Sequence, residues 1–249
     1  MVILARYKII LAYDGTGLSG SQRQAAVPTA QSELEKALRC LGWSGKSVLL
    51  AGRTDSGVHA SGQVAAFDFE WKHSSESLVK AINSNLITQM AVSSAQIVTD
   101  DFHPRFDARA RRYRYRIHCQ SQRDPLRDRF SWRLWPVPAE TALLEAATHI
   151  IGKHDFRTFG TPPRPESSTI RNVMNAEWRQ NGDEWIFEIQ ADAFLYHMVR
   201  RLVFVQVAAG LGKCSPGITG EMLSGKSVPV PAGLAPSQGL TLVEITYPE

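Results

Sequence analysis

The sequence predicts an α+β protein built from two ferredoxin-like halves, each with an antiparallel sheet and with a cleft where the two sheets meet. Two observations support this prediction. Hydrophobic periodicity places the strands and helices of the first half in the order β-α-β-β-α-β, and the second half runs similarly. In addition, 43% of the 249 residues are apolar, which is ample for a packed core. We place the halves at residues 1–105 and 106–249.

The elements of the first half follow from apolar runs separated by glycine-rich and polar turns. A helix from about Thr29 carries Leu34, Leu38 and Leu41 on one face, because residues three or four apart are neighbours on a helix. The predicted elements are, in order, the strand 7–12, this helix, the strands 48–51 and 63–69, the helix 77–86 and the strand 92–98.

The second half shows the same kinds of pattern. Alternation over residues 111–118 predicts a strand, and Asn181-Gly182 predicts a tight turn between two strands. Ser215 and Pro216 suit the N-cap and first position of a short helix. The predicted elements are the strand 111–118, the helix 139–151, the hairpin 173–179 with 185–191, the helix 194–209, the short helix and the strand 240–247.

Composition narrows the functional classes. A net charge of +4 permits an anionic partner, and three scattered cysteines argue for a reducing compartment and against a disulfide framework. We expect a cytoplasmic protein, because neither a signal peptide nor an apolar run long enough to cross a bilayer is evident. We expect no metal, since no histidine pair has zinc-ligand spacing with a supporting cysteine or glutamate. The loop 15–20 lacks phosphate-loop and dinucleotide glycine patterns, so no nucleotide cofactor is expected.

Asp55 is the leading candidate for a reactive group. It follows the apolar run 48–51, in a turn bracketed by Gly52 and Gly57. Arg53 offers an opposite charge that would keep the carboxylate ionised and fix its direction, as a nucleophilic carboxylate requires. The alternative is that Asp55 only makes an Asx-turn and Arg53 is a solvated surface group.

A basic strand is the second candidate. Alternation places Tyr113 and Tyr115 on one face of the strand and Arg112, Arg114 and Arg116 on the other. This pattern favours an RNA-binding surface, because guanidinium groups pair with phosphates and aromatic rings stack on unpaired bases. The alternative is an exposed edge strand whose charges discourage pairing with another sheet.

The helix predicted from Phe194 offers a partner for Asp55. Its apolar stripe lies close to Arg200 and Arg201, and a buried arginine needs a carboxylate because an unpaired buried charge is strongly unfavourable. Asp55 is a candidate for that carboxylate. The alternative is that both arginines are solvated.

Motifs over nearly the whole chain form a recognisable set. They are Tyr13-Asp14-Gly15-Thr16-Gly17 with Gly20, Gln22, Arg23 and Gln24, then the segments 52–60, 102–106, 112–115, 152–156, 194–200, 235–236 and 239–240. Together they resemble the tRNA pseudouridine synthase A family. Four positions depart from its usual pattern: Leu18 and Ser21 replace a phenylalanine and a tryptophan, and Phe204 and Val205 replace a small residue and a glycine.

The resemblance implies a pseudouridine-synthase-type core and isomerisation of uridine to pseudouridine in the anticodon stem and loop of tRNA. It also implies a homodimer and no cofactor. By motif position, Asp55 is the catalytic carboxylate, Tyr113 the ring stacked on the target base, Arg53 a residue assisting base extrusion, and Arg200 the partner of Asp55. We also expect RNA contacts from a second set of residues. These are Arg23, His59, Arg105, Arg112 and Arg114.

Several questions stay open at this level. An ionised Asp55 could attack the sugar, attack the uracil ring or remove a proton from the sugar. The main competing function is a non-catalytic module that binds structured RNA, in which Asp55 only shapes a turn. A nucleosidase-like hydrolase that releases free uracil is a second competitor.

Overall fold

The computed structural model describes residues 4–226, 228–229 and 231–248. The chain forms two compact units, Met1–Arg109 with Leu242–Glu249 and Ala110–Thr241. The predicted division after residue 105 assigned the whole C-terminal part to the second half. The structure instead assigns residues from Leu242 onward to the first unit, because the closing strand lies beside a strand of that unit.

The first unit has the strand order of a ferredoxin-like sheet. β4 lies next to β1, β1 next to β3, and β2 pairs with β3, with the four strands antiparallel to their neighbours. The elements are β1 (Leu4–Tyr13), α1 (Ala30–Cys40), β2 (Leu49–Leu50), β3 (His59–Glu70), α2 (Ser75–Asn85) and β4 (Met90–Val98). The predicted β-α-β-β-α-β order is confirmed.

Capping at Thr29 fixes where α1 begins. The Thr29 hydroxyl accepts a hydrogen bond from the Ser32 backbone N–H, and the Ser32 hydroxyl accepts one from the Thr29 N–H. This reciprocal pair satisfies two N–H groups that a helix end leaves unpaired. The helix buries Leu34 and Leu38 as predicted. The loop that precedes Thr29 is therefore fixed at its C-terminal end by a helix packed in the core.

The second unit carries an antiparallel sheet in the order β5-β9-β8-β7, to which β6 adds in parallel beside β5. Two of its strands, β6 and β7, were not predicted, because they are three and four residues long and carry no clear apolar alternation. The elements are β5 (Ala110–Cys119), β6 (Trp132–Leu134), α3 (Glu140–Thr148), β7 (Gly152–Asp155), β8 (Ile170–Asn181), β9 (Glu184–Ala191), α4 (Met198–Gly210), α5 (Ile218–Leu223) and a 3₁₀ turn (Ser237–Gly239). β10 (Leu240–Thr246) follows, and its residues from Leu242 onward belong to the first unit.

A buried hydrogen bond joins β8 to α4 inside this unit. The indole N–H of Trp178 donates to the side-chain carbonyl of Gln206 over 2.8 Å, and both residues are buried. The side-chain carbonyl of Gln206 therefore has a partner in the core. The predicted α+β class is confirmed, and no helix in the described part of the chain is long and apolar enough to cross a membrane.

The predicted starts of two helices are wrong. α4 begins at Met198 rather than Phe194, since His197 adopts a left-handed conformation with φ 67° and Tyr196 pairs with Thr161 as an isolated bridge. α5 begins at Ile218, because Ser215 first forms a turn in which its carbonyl accepts from the Ile218 N–H at 3.1 Å. Local sequence patterns did not predict the bridge between Thr161 and Tyr196 or the turn at Ser215.

Candidate active site

Asp55 lies half-buried in a tight turn between β2 and β3. Its backbone carbonyl accepts a hydrogen bond from the Val58 N–H at 3.1 Å, and Gly57 has φ 77°, a conformation that favours glycine. The Ser56 hydroxyl and the Gly57 N–H both donate to the carbonyl of Leu18, at 3.2 and 3.3 Å. The turn that carries Asp55 is therefore bonded to the opening loop of the chain.

Arg53 is exposed, two residues before the half-buried Asp55. The expected pairing of Arg53 with Asp55 and the role of Arg53 in base extrusion both stay predictions.

Two side chains of the core, Gln63 and Tyr13, contact the start of the turn. The side-chain amide of Gln63 donates to the Gly52 carbonyl at 2.9 Å, and its carbonyl accepts from the Gly52 N–H at 3.2 Å. The Tyr13 hydroxyl lies 2.8 Å from the hydroxyl of Thr54. Burial raises the pKa of Tyr13, so its phenol stays protonated and keeps a hydrogen to donate.

Ser21, in the opening loop, forms two hydrogen bonds with the same turn. Its backbone N–H donates to the Thr54 carbonyl at 3.0 Å, and its fully buried hydroxyl accepts from the Thr54 N–H at 2.8 Å. A Cβ on the preceding Gly20 would lie 2.8 Å from the Thr54 carbonyl oxygen, so the loop approaches the turn too closely for a larger residue. The sequence marked Ser21 only as a departure from the family pattern. The structure makes its hydroxyl part of the support for Asp55.

We expect Ser21→Ala to lower both stability and the rate of the reaction that Asp55 serves. It leaves the buried Thr54 N–H without its acceptor, which costs about 1–3 kcal/mol. Thermal unfolding and single-turnover rates would measure the two effects. Ser19→Ala is the matched control, since the Ser19 hydroxyl makes no hydrogen bond within the described residues. Equal behaviour of the two variants would contradict this account of Ser21.

His59 is buried beneath the opening loop. Its Nδ1 accepts a hydrogen bond from the Gly15 N–H at 2.9 Å and lies 3.2 Å from a carboxylate oxygen of Asp14. Nδ1 accepts from the Gly15 N–H only when it carries no proton, and it pairs with the Asp14 carboxylate as a cation only when the ring is protonated. The geometry gives His59 a structural role in this loop, and the predicted RNA contact stays a prediction.

Arg23 is anchored on a buried carboxylate. Its guanidinium donates to Glu35 at 2.6 Å, while Glu35 is fully buried and also accepts from the Val48 N–H at 3.1 Å. Glu35 thus ties the Arg23 loop to the chain that leads into β2. Arg105 is exposed, with its guanidinium 5.8 Å from the ring centre of Phe106. RNA contacts of Arg23 and Arg105 stay predictions.

Tyr113 lies in the second unit, on an interior strand. β5 pairs with β9 over residues 111–118 and with β6 over 117–119, so the alternative of an exposed edge strand is wrong. The predicted alternation is confirmed, since Tyr113 and Tyr115 are buried on one face. The ring of Phe194 meets the ring of Tyr113 edge-on, with centroids 5.0 Å apart and planes at 84°. This contact fixes the orientation of the Tyr113 ring.

The arginines on the other face of β5 surround one acidic residue. Glu188 is buried and accepts from Arg114 at 2.6 Å and Arg179 at 2.6 Å, while Arg112 lies 3.8 Å away. Burial by itself raises the pKa of Glu188. The hydrogen bond with Arg114 and the charges of the three arginines outweigh burial, so the pKa of Glu188 lies below its usual value and the carboxylate is ionised. Glu177 on β8 also lies 3.3 Å from Arg179, so carboxylates of β8 and β9 both hold arginines of this face. The sequence pattern did not identify Glu188 or Arg179.

Arg200 lies half-buried in the first turn of α4 and is bonded to the segment after α5. Its Nε–H donates to the Ala235 carbonyl at 2.8 Å, and the Tyr115 hydroxyl donates to the Pro236 carbonyl at 2.8 Å. Residues 235–236 therefore orient both side chains. Asp55 belongs to the other unit, and its pairing with Arg200 stays a prediction.

The departure at Phe204 has a packing explanation. Its ring stacks on Trp132 with centroids 6.5 Å apart and planes at 8°, and a Cβ on Gly233 would lie 2.3 Å from the Phe204 ring. Phe204 therefore fills the space between Trp132 and a glycine backbone. Among the residues the structure describes, no group of three or more histidine, cysteine, aspartate or glutamate side chains is placed to hold a metal ion.

Comparisons with known proteins give one family. The family model described as tRNA pseudouridine synthase matches residues 9–107 and 146–248. A tRNA pseudouridine synthase A of Nitrosococcus oceani is 38% identical over 98% of this chain and 94% of its own length. The protein of the same name from Colwellia psychrerythraea is 36% identical over 98% of this chain and 94% of its own length. That from Dechloromonas aromatica is 42% identical over 85% of this chain and 80% of its own length.

Proposed function

The chain belongs to the tRNA pseudouridine synthase A family, and we propose that it converts uridine to pseudouridine in the anticodon stem and loop of tRNA, with Asp55 as the catalytic carboxylate. The observation that carries this proposal is the support of the Asp55 turn. Hydrogen bonds from Ser21, Gln63 and the Leu18 loop hold the turn from separate sides. A rigidly held carboxylate suits catalysis, because orientation alone removes much of a reaction barrier.

The reaction needs few protein groups. The bond between uracil N1 and the ribose C1′ breaks, the base turns, and a bond forms between C5 and C1′. C5 loses its hydrogen as a proton and N1 gains one, so the reaction is an isomerisation without oxidant or cofactor. Asp55 assists cleavage, and the pocket must retain the free base and exclude water, which would otherwise hydrolyse a reactive sugar intermediate.

Tyr113 supports the step that makes the base accessible. A uridine within a stem must leave its stack to react, at a cost of a few kcal/mol. We propose that the Tyr113 ring, fixed by Phe194, stacks on the extruded base, and that Arg53 assists extrusion and Arg200 pairs with Asp55. Stacking of a base on an aromatic ring is worth about 1–3 kcal/mol, enough to offset much of this cost.

The arginine-rich face of β5 suits the rest of the RNA. Arg112 and Arg114 on β5 and Arg179 on β8 place guanidinium groups around Glu188, and guanidinium groups bind phosphates through paired hydrogen bonds. We propose that this face binds the tRNA backbone. We also propose, as the family resemblance implies, that the active form is a homodimer that uses neither metal nor cofactor.

Tritium release from tRNA labelled at uridine C5 tests the function. We expect release into water together with chromatographically identified pseudouridine. The two competing functions give different results, because a non-catalytic RNA-binding module releases no tritium and a nucleosidase-like hydrolase yields free uracil. Either result with the wild-type protein would overturn the proposal.

A further inference from the structure

Tyr196 differs from the other tyrosines of the chain in its exposure. All six tyrosines lie in the described part, and Tyr196 alone is in the exposed class, at 58%, whereas its neighbours Leu195 and Met198 are buried. The backbone is thus anchored in the core while the aromatic ring points to solvent. An exposed aromatic ring on a firmly held segment is a common feature of surfaces that bind nucleobases.

The backbone holds Tyr196 in one position. Its N–H donates to the Thr161 carbonyl at 2.9 Å and its carbonyl accepts from the Thr161 N–H at 3.2 Å. A Cβ on Gly160 would lie 2.6 Å from the Tyr196 carbonyl oxygen, so this approach requires glycine. The next residue, His197, has φ 67°, which is strained for a residue other than glycine. Strained conformations of this kind persist where the surroundings enforce them, and they cluster at ligand sites.

The strained backbone brings two rings together. The Tyr196 and His197 rings stack with centroids 3.7 Å apart and planes at 28°. Two stacked rings form a flat surface that loses little side-chain entropy when a third ring is added, since both are already ordered. The pair is therefore prepared to accept a planar ligand.

Charge and position favour RNA as that ligand. The segment 193–210 contains no aspartate or glutamate but includes Arg200 and Arg201, so a polyanion meets no repulsion from it. Phe194, two residues before Tyr196, contacts the ring of Tyr113. The two stacked rings therefore lie close along the chain to the residue proposed to stack on the extruded uridine.

We propose that Tyr196 and His197 form a second stacking site, which binds an unpaired base of the tRNA next to the extruded uridine. This inference rests on the proposed function, because it deepens the description of the same RNA-binding site. Stacking a neighbouring base would keep the strand open after the uridine has left its stack. No bond is made or broken at this site.

The test measures binding of the full chain to an anticodon stem-loop RNA that carries 2-aminopurine or an abasic nucleotide at one loop position at a time. We expect Tyr196→Ala to weaken binding about 5- to 150-fold, the factor equivalent to one stacked base, and Tyr196→Phe to bind as the wild type does. One loop position should carry the base that stacks on Tyr196. With an abasic nucleotide at that position, Tyr196→Ala and the wild type should bind the RNA with equal affinity. The 2-aminopurine fluorescence at that position should be quenched only by proteins with a ring at residue 196.

Trp135→Ala is the matched control, since Trp135 is 59% exposed and lies in the same unit. It should bind RNA normally. Equal affinity of Tyr196→Ala and wild type, or a loss of affinity that no abasic position removes, would overturn the inference. Neither result affects the proposed function, which fails only if the wild-type protein makes no pseudouridine.

Discussion

Asp55→Asn is expected to abolish pseudouridine formation, with a loss of at least about a thousandfold in single-turnover rate. The amide is neutral, so it neither attacks carbon nor accepts a proton as a carboxylate does. It has the same shape, and the hydrogen bonds that shape the turn come from backbone groups and from other residues, including the bond between Val58 and the Asp55 carbonyl. The turn should therefore keep its structure.

Tritium release measures the rate, and filter binding of labelled tRNA measures affinity. We expect affinity to persist, because the RNA is held mainly by other residues. Asp101→Asn is the control: it removes an exposed carboxylate of the same unit and should leave both measurements unchanged. Activity that survives in Asp55→Asn would remove Asp55 from its catalytic role.

Gly15→Ala should have the second largest effect, because the added methyl group meets the Asp55 turn. Its Cβ would lie 2.2 Å from the Val58 carbonyl oxygen and 2.9 Å from the Gly57 carbonyl carbon, both backbone atoms that cannot rotate away. Relief requires the turn to move. Overpacking of this kind costs about 1–3 kcal/mol, and a displacement of about 1 Å at a catalytic group can lower the rate about a hundredfold.

Gly52→Ala provides a stringent control. Gly52 lies in the same turn, yet its added Cβ would meet only a side-chain atom of Leu242, at 3.9 Å, which is ordinary contact. We expect this variant to retain nearly normal stability and rate, while Gly15→Ala shows a lower melting temperature and a lower single-turnover rate. If the two variants behaved alike, close packing of the opening loop against the turn would not govern the position of Asp55.

Much of the fold and part of the site could be predicted from local patterns. Apolar periodicity placed α1 and the strands of both units other than β6 and β7, and Asn181-Gly182 placed a hairpin turn in which Gly182 has φ 61°. The turn at Asp55 and the two faces of β5 were also predictable, because both depend on residues that are neighbours in sequence. β2, by contrast, pairs over only two residues, fewer than its apolar run suggested.

The missed features of the site, and the late start of α4, depend on contacts distant in sequence. Ser21 meets Thr54 across 33 positions, and Glu188 meets Arg114 across 74. The late start of α4 has the same origin, since Thr161 pairs with Tyr196 and holds it outside the helix. A pattern within a few residues carries no record of such partners.

The sequence by itself determined the class of fold and the setting of Asp55 in a glycine-bracketed turn, since periodicity and turn chemistry are local properties of the chain. Tertiary structure alone decided which groups support that turn and that Tyr196 stands exposed beside His197. The physical reason is that hydrogen bonds and burial depend on distance in space, which folding sets between residues that the sequence keeps far apart.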